Sequence, residues 1–343
     1  MRAAIQNGLC EIDVRDVPAP GGDGALVRVV AAGVCGSDLH EYLQRTQPQP
    51  LPEGHEVAGE VVSLPHAYAG PIRVGDLVAI DTICHGRACG ACVFCRAGQT
   101  FHCLERDKTQ GWGGAFADFI RRHPAGLFRL PPGISAEQGA LVEPLAVGVH
   151  AIRRARMAQG STVVIIGAGT IGLMTLLAAR ALGADKVHVV ARHAHQAAAA
   201  KTFGATTAVQ AEGADSVSLI RDLTDGVGGD LVVEAVGRRA ESLELAWQLV
   251  RPQGSVAVLG IFPQPVLLNL MRPILREVSI TFPICYGIID GRHDFEVAIE
   301  IIASGRVTMD GLVTHRFPLE QAAAAFQTAA DKSSGSLKVH IRP

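Results

Sequence analysis

Between Ser161 and Ala179 the chain carries no charged residue over a stretch nearly long enough to cross a bilayer. Such a run is either a membrane helix or a buried strand and helix joined by a turn. Its first half is β-branched (Val163, Val164, Ile165, Ile166), its middle is Gly167-Ala168-Gly169, and its second half has helical composition, which predicts a strand, a tight turn and a helix. The turn reads Gly167-Ala168-Gly169-Thr170-Ile171-Gly172. In this context the first glycine makes the turn, the second lets a pyrophosphate approach the backbone, and the third lets helix and strand pack closely. A glycine-rich turn of any α/β protein is the plainer alternative.

The residues that follow support the first reading. Strands and helices alternate through Val187 to Ala191, His195 to Phe203, Leu231 to Ala235 and Ser255 to Gly260, which predicts a doubly wound parallel sheet. From Leu26 to Leu130 the texture differs. Short β runs (Leu26 to Ala31, Glu56 to Val62, Leu77 to Ile80, Ala117 to Ile120) are broken by Gly and Pro, as in an irregular β barrel. A helix from Phe295 to Ser304 and a final strand from Ser336 to Ile341 do not extend the alternation and are expected to rejoin the first part. A chain of 343 residues exceeds what one core usually supports, so two domains are expected.

Where NAD-binding turns of this kind place a carboxylate, at the end of the second strand, the chain has Ala191 followed by Arg192. No acidic residue occurs between Asp185 and Glu212. Without that carboxylate a 2′-phosphate is not repelled, and a guanidinium beside it can pair with one, so NADP is expected over NAD. A solvated Arg192 beside an NAD site is the alternative.

Four thiols lie close together at Cys89, Cys92, Cys95 and Cys103. In a reducing compartment such spacing reads as metal ligation rather than disulfides, and four thiolates fill a tetrahedral Zn²⁺, making a structural site; an iron–sulfur centre is the alternative. Cys35, in Gly33-Val-Cys-Gly-Ser-Asp-Leu-His40, is followed by Gly54-His55-Glu56, and Glu143 lies in Val142-Glu-Pro144. Thiolate, imidazole and carboxylate together could hold a metal with one position open. Each alone would more often be structural. Cys10, Cys84 and Cys285 read as structural thiols.

Taken together, Gly33 to Tyr42, Gly54 to Glu56, the four-cysteine loop, Leu141 to Val147 and the glycine turn resemble the zinc-containing medium-chain dehydrogenases, in the branch of sorbitol, threonine and 2,3-butanediol dehydrogenases. The resemblance implies a GroES-like catalytic domain over 1–148 and 283–343, with a Rossmann dinucleotide-binding domain inserted at 149–282. It implies a catalytic zinc on Cys35, His55 and Glu56, with Glu143 ligating directly or through water, and a structural zinc on the four cysteines. It further implies that Ser37 takes the proton of a zinc-bound alcohol and passes it, through the cofactor ribose, toward His40. The cofactor contacts would come from Gly167, Gly169, Thr170, Ile171, Gly172, Ala191 and Arg192. The implied reaction moves a hydride between a secondary alcohol, diol or polyol, or its ketone, and NADP or NAD. Asp38 would brace its loop. Segments Asp38 to Tyr42 and Arg292 to Ala298 look most like butanediol dehydrogenases, and Pro283 stands where sorbitol dehydrogenases carry an Arg, which argues against a long polyol. Trp112, in Gly111-Trp-Gly-Gly114, either lines the pocket or covers the barrel.

A zinc-free quinone or enone reductase and a non-catalytic cofactor sensor are the competing functions; Cys35, His55, Glu56, Ser37 and His40 speak against them. The formal net charge of -2, with no block of Lys and Arg, argues against nucleic acid or an anionic membrane as partner. Charges at Arg2, Glu11, Asp13, Arg15 and Asp16 leave no apolar leader region, so a cytoplasmic chain is expected. The family implies a homodimer or homotetramer.

Overall fold

A computed structural model of the chain describes residues 1–106, 112–210, 213–238 and 240–343; Gly111 and Glu212 lie outside them. The chain divides into two compact units, one of Met1–Glu143, Gly287–Ala303 and Met309–Pro343, the other of Pro144–Tyr286 and Ser304–Thr308.

The first unit is built on a seven-stranded sheet. Its order runs Val313–Pro318, Lys338–Arg342, Ala25–Gly33, Glu56–Ser63, Leu77–Ile80, Leu127–Arg129, with Phe119–Arg122 also paired to Ala25–Gly33. The first two strands are parallel and the other pairings antiparallel. A separate hairpin joins Arg2–Gly8 to Glu11–Asp16. The Val-rich, alternating strands bury one set of side chains, among them Val27, Val29, Val57, Val61 and Val78, against Phe116, Ile120 and Phe326. The Phe116 and Phe326 rings meet edge-on with centroids 5.3 Å apart.

The C-terminal strands are also pinned by charge. Glu137 accepts from Arg316 Nε and Nη2 at 2.7 and 2.6 Å and from Arg342 Nη2 at 2.7 Å, joining the helix Ala136–Ala140 to both strands. Those hydrogen bonds, Arg316's foremost, hold the Glu137 carboxyl down at about 2, against an ordinary 4.5.

The second unit is a six-stranded, all-parallel sheet in the order Thr207–Gln210, Lys186–Ala191, Thr162–Ile166, Gly229–Glu234, Val250–Val258, Ser279–Thr281. The strand, turn and helix expected over Ser161 to Ala179 are found as the strand Thr162–Ile166 and the helix Thr170–Ala181, and no helix among the described residues is long and apolar enough to cross a membrane. Strand order reverses between Thr162–Ile166 and Gly229–Glu234, so the crevice at their carboxyl ends is where this architecture takes a ligand. The sheet is covered by the helices Thr170–Ala181, Ala194–Thr202, Gly213–Leu223 and Ala240–Leu249. In the last, Leu243, Ala246 and Trp247 are buried at helical spacing while Glu241 and Glu244 face out.

Because folding lowers the Glu137 pKa, its contribution to stability is present above about 4.5 and is lost as pH falls toward 2. Glu137→Gln should therefore lower Tm by about 2–4 °C at pH 7, and the gap from wild type should narrow as thermal melts are repeated at pH 4 and pH 3.

Candidate active site and metal centres

Cys35 lies two residues beyond the strand Ala25–Gly33 and caps the helix Gly36–Gln44, while His55 immediately precedes the neighbouring strand Glu56–Ser63, which Glu56 opens. Gly33 pairs with Glu56 across the ladder, so pairing alone carries the Cys35 and His55 segments to one end of the sheet. The Cys35 thiol lies within hydrogen-bonding reach of the His55 ring. Asp38 receives the Cys35 N–H at 2.8 Å, and its carboxylate lies 3.6 Å from His55 Nδ1. The residue therefore does more than brace its loop, because it also faces the imidazole. Burial, opposed by the His55 charge, raises Asp38 to about 6. Burial works against the His55 imidazolium, but Asp38 and Cys35 outweigh it and hold the ring well above the usual histidine range.

Glu56 is fully buried, and both its oxygens accept from Lys338 Nζ, at 2.7 and 2.6 Å. The third proton of the ammonium goes to Val34 O at 3.0 Å, so every Lys338 donor is satisfied. A Cβ at Gly33 would stand 2.1 Å from Glu56 Oε2, which explains the glycine. Lys338 was not singled out from sequence; its signal is a lone Lys in the run Leu337 to Ile341, which is apolar apart from it and His340. Glu143 is buried at the start of the helix Val142–Arg154 and feels the charges of His55, Glu56 and Lys338. Burial lifts it to about 8.

The cluster thus gathers a thiol, an imidazole and the Asp38, Glu56 and Glu143 carboxyls around one buried ammonium. That donor set suits zinc, and its excess of anionic groups suits a cation. The structure brings Cys35 and His55 together; it engages Glu56 with Lys338, and Cys35, His55 and Glu56 are not among the sets of three whose ligand atoms all lie within 4.8 Å. Ser37 is exposed and His40 half-buried on the same helix. A cavity of about 650 Å³ within this unit is lined by Ser37, Asp38, His55, Thr82, Arg45 and Trp112, among others. Trp112 both lines this cavity and covers the barrel edge, where its ring lies against Gly22 and Gly24.

The four cysteines do converge. Their sulfurs lie within 4.8 Å of one another, with Cys89–Cys95 at 3.9 Å and Cys92–Cys95 at 3.4 Å, close to the roughly 3.8 Å edge of a tetrahedron with Zn–S bonds of about 2.3 Å. Backbone amides point at the sulfurs, from Cys89 to Cys103 at 3.2 Å and from Ala91 and Cys92 to Cys89 at 3.4 Å, which favours thiolates. Of the remaining thiols, Cys84 is buried and Cys10 is exposed at a turn with φ 57°.

A second set, Asp81, His85 and His293, also falls within 4.8 Å. Here proton positions favour a hydrogen-bonded network over a metal. The Phe295 N–H donates to His293 Nδ1 at 3.1 Å, so Nε2 carries the ring proton, and it faces Asp81 Oδ2 at 3.5 Å. Asp81 also accepts from the amides of Ile83, Cys84 and His85, anchoring the root of the cysteine loop.

In the second unit Gly167 has φ 98°, open to glycine, and a Cβ on Gly172 would lie 1.9 Å from Gly167 O. Gly169 caps the helix Thr170–Ala181 with open space where its Cβ would be. Ala191 ends its strand buried, and Arg192 beyond it is exposed.

Lys338→Met would leave Glu56 buried without its counter-charge, and a loss of about 3–5 kcal/mol in denaturant unfolding is expected; a loss under 1 kcal/mol would show the pair to be dispensable.

Two family models match the chain: an alcohol dehydrogenase GroES-like domain over residues 21–132 and a zinc-binding dehydrogenase over 170–304. Sorbitol dehydrogenase of Bacillus subtilis (strain 168) is 33% identical, covering 100% of this chain and 97% of its own. The crystal structure of 2R,3R-butanediol dehydrogenase from Bacillus subtilis is 28% identical at a TM-score of 0.82, covering 100% and 99%. A chain described as a zinc-binding dehydrogenase from Sinorhizobium meliloti 1021, bound to NADP, is 28% identical at a TM-score of 0.83, covering 100% and 99%. With two matching halves in family order and a relative of this identity along its whole length, the chain belongs to the zinc-dependent alcohol dehydrogenases of the medium-chain family, enzymes of zinc and a nicotinamide cofactor.

Proposed function

We propose that the enzyme oxidises a secondary alcohol bearing a neighbouring hydroxyl, or reduces the matching hydroxyketone, with NADP preferred to NAD. The observation that carries the reading is His55, which has Cys35, Asp38 and Glu143 around it and itself lines, with Asp38, a cavity whose wall also holds Ser37, Thr82 and Arg45. Glu41, Arg45, Glu53, Arg87 and Arg122 join Ser37 and Thr82 in that wall, and a lining so polar suits a hydroxylated substrate better than a plain alkanol. The sorbitol and butanediol dehydrogenases among its relatives agree with that class.

In this reading Cys35 and His55, with Glu56 and Glu143, hold a catalytic zinc, and Cys89, Cys92, Cys95 and Cys103 hold a structural one. Glu56 would share its carboxylate between the metal and Lys338. When bound, the catalytic zinc supplies the Lewis acidity that makes a carbinol acidic near neutral pH. Ser37 takes the hydroxyl proton, and His40, three residues on and so on the same helix face, relays it outward. Asp38 orients the His55 ring from Nδ1. Thr170, Ile171 and the three glycines cradle the pyrophosphate, and Arg192, beyond Ala191, pairs with a 2′-phosphate. The NADP-bound relative supports that preference.

A second copy of the chain is the partner we infer. Ile261, Leu267, Leu275 and Phe282 are 65%, 93%, 75% and 72% exposed near the edge strand Ser279–Thr281, more apolar surface than one soluble protomer usually leaves bare. The free cysteines suit a reducing cytoplasm.

Steady-state kinetics over secondary alcohols, vicinal diols, polyols and hydroxyketones with each cofactor test the proposal. A vicinal diol or hydroxyketone with NADP should give the highest kcat/KM, and a higher value with NAD would overturn the cofactor preference. Cys35→Ala should abolish turnover and lower the zinc content while dinucleotide binding, followed by nicotinamide fluorescence, persists. Full activity in that variant would remove Cys35 from the site.

A further inference from the structure

The strand Gly229–Glu234 ends on a carboxylate that has no counter-charge among the described residues. Glu234 is 0% exposed. Its Oε1 accepts from the amides of Val236 and Gly237 at 2.9 and 2.7 Å, and its main-chain carbonyl accepts from those of Leu259 and Gly260 at 2.8 and 3.1 Å. One residue therefore ties together the loops that follow two neighbouring strands. Its Oε2 is buried with no donor, packed where a Cβ on Gly260 would stand 2.3 Å away. None of the ion pairs among the described residues includes it.

The two amide bonds explain one oxygen and leave the charge unexplained, since the carbonyl of a glutamine would accept them equally well. Burying a carboxylate without a cation is costly. Its place in the fold supplies a reason. Glu234 stands in register with Ile166, the last strand residue before the glycine turn. The segment after it lies against that turn, because a Cβ on Gly167 would come within 2.8 Å of Val236 Cγ2 and 3.1 Å of the Ala235 carbonyl oxygen. In a doubly wound sheet the adenosine half of a dinucleotide lies toward the second strand, here Lys186–Ala191, and the pyrophosphate lies at the turn. The nicotinamide half then extends the other way across the switch point, toward Gly229–Glu234 and Val250–Val258. That ring is a cation when oxidised and neutral when reduced.

We propose that Glu234 determines specificity for the oxidation state of the cofactor, its buried charge favouring the cationic, oxidised dinucleotide over the reduced one. Being wholly buried, it acts through space and not by contact, in a region where charges are felt over longer distances than in water. The inference rests on a dinucleotide at the glycine turn. It does not rest on the choice between NADP and NAD, which carry the same ring.

The test is cofactor binding to the zinc-loaded full chain, by nicotinamide fluorescence for the reduced forms and calorimetry for the oxidised ones. Glu234→Gln keeps an acceptor for the two amides and removes the charge; Glu234→Asp keeps the charge and shortens the reach to the amides. In Glu234→Gln the affinity for NADP⁺ should fall about tenfold relative to NADPH, while 2′,5′-ADP, which has no nicotinamide, binds as in wild type. NAD⁺ relative to NADH should move by the same factor, whichever of NADP and NAD binds more tightly, so the cofactor preference stands or falls separately. Glu234→Asp should weaken all of these ligands by a common factor and keep the wild-type ratio of oxidised to reduced. An unchanged ratio in Glu234→Gln overturns the proposal, as does a ratio displaced equally far in Glu234→Asp. Failure of Glu234→Gln to fold would assign the charge to the stability of the sheet and overturn it as well.

Discussion

The ion pair between Lys338 and Glu56 is the contact on which the first unit's geometry depends. It is wholly buried, and desolvating two charges is worthwhile only if each is fully hydrogen-bonded, as here by two carboxylate oxygens and the Val34 carbonyl. The pair fixes the orientation of Glu56, hence the start of the strand that also carries His55, and it fastens the last strand to the strand ending at Gly33. Cys35, His55 and Asp38 are therefore held by a scaffold whose register one buried charge enforces.

The second unit relies on a different device. Its sheet is covered by helices and holds a fully buried carboxylate, Glu234, whose Oε1 accepts from the Val236 and Gly237 amides; the glycine turn depends on backbone shape, a left-handed Gly167 and a Gly172 where any Cβ would strike the Gly167 carbonyl. The glycine turn and Arg192 lie at the carboxyl ends of its strands.

The sequence disclosed what is local. The strand, turn and helix at 162–181 were readable because β-branched residues, glycines and helix formers succeed one another within a single run, and the sulfur cluster was readable because its members are near neighbours along the chain. The nearness of Cys35 to His55 rested on resemblance, since only sheet pairing joins them. Lys338, Asp38 as a partner of the His55 ring, and the Asp81–His293 network were out of reach for the same reason: each acts across a long loop, and in a sequence a charged residue looks solvated until its partner is known. The helices Gly213–Leu223 and Ala240–Leu249 carried a signal that was not used, apolar positions such as Leu243, Ala246 and Trp247 at helical spacing. The hairpin at Arg2–Gly8 escaped because its second strand, Glu11–Asp16, is largely charged.

The order of the strands also constrains synthesis. The second unit's sheet is contiguous along the chain apart from a short later segment, so its core can assemble while the nascent polypeptide is still being extended. The first unit has no such freedom. Until residues 338–342 leave the ribosome, the strand from Ala25 to Gly33 lacks one neighbour and Glu56 lacks Lys338, the cation that neutralises it. During translation the half that holds the cysteines and His55 therefore waits, with an open sheet edge exposed to any chaperone or aggregating chain, for the half made after it.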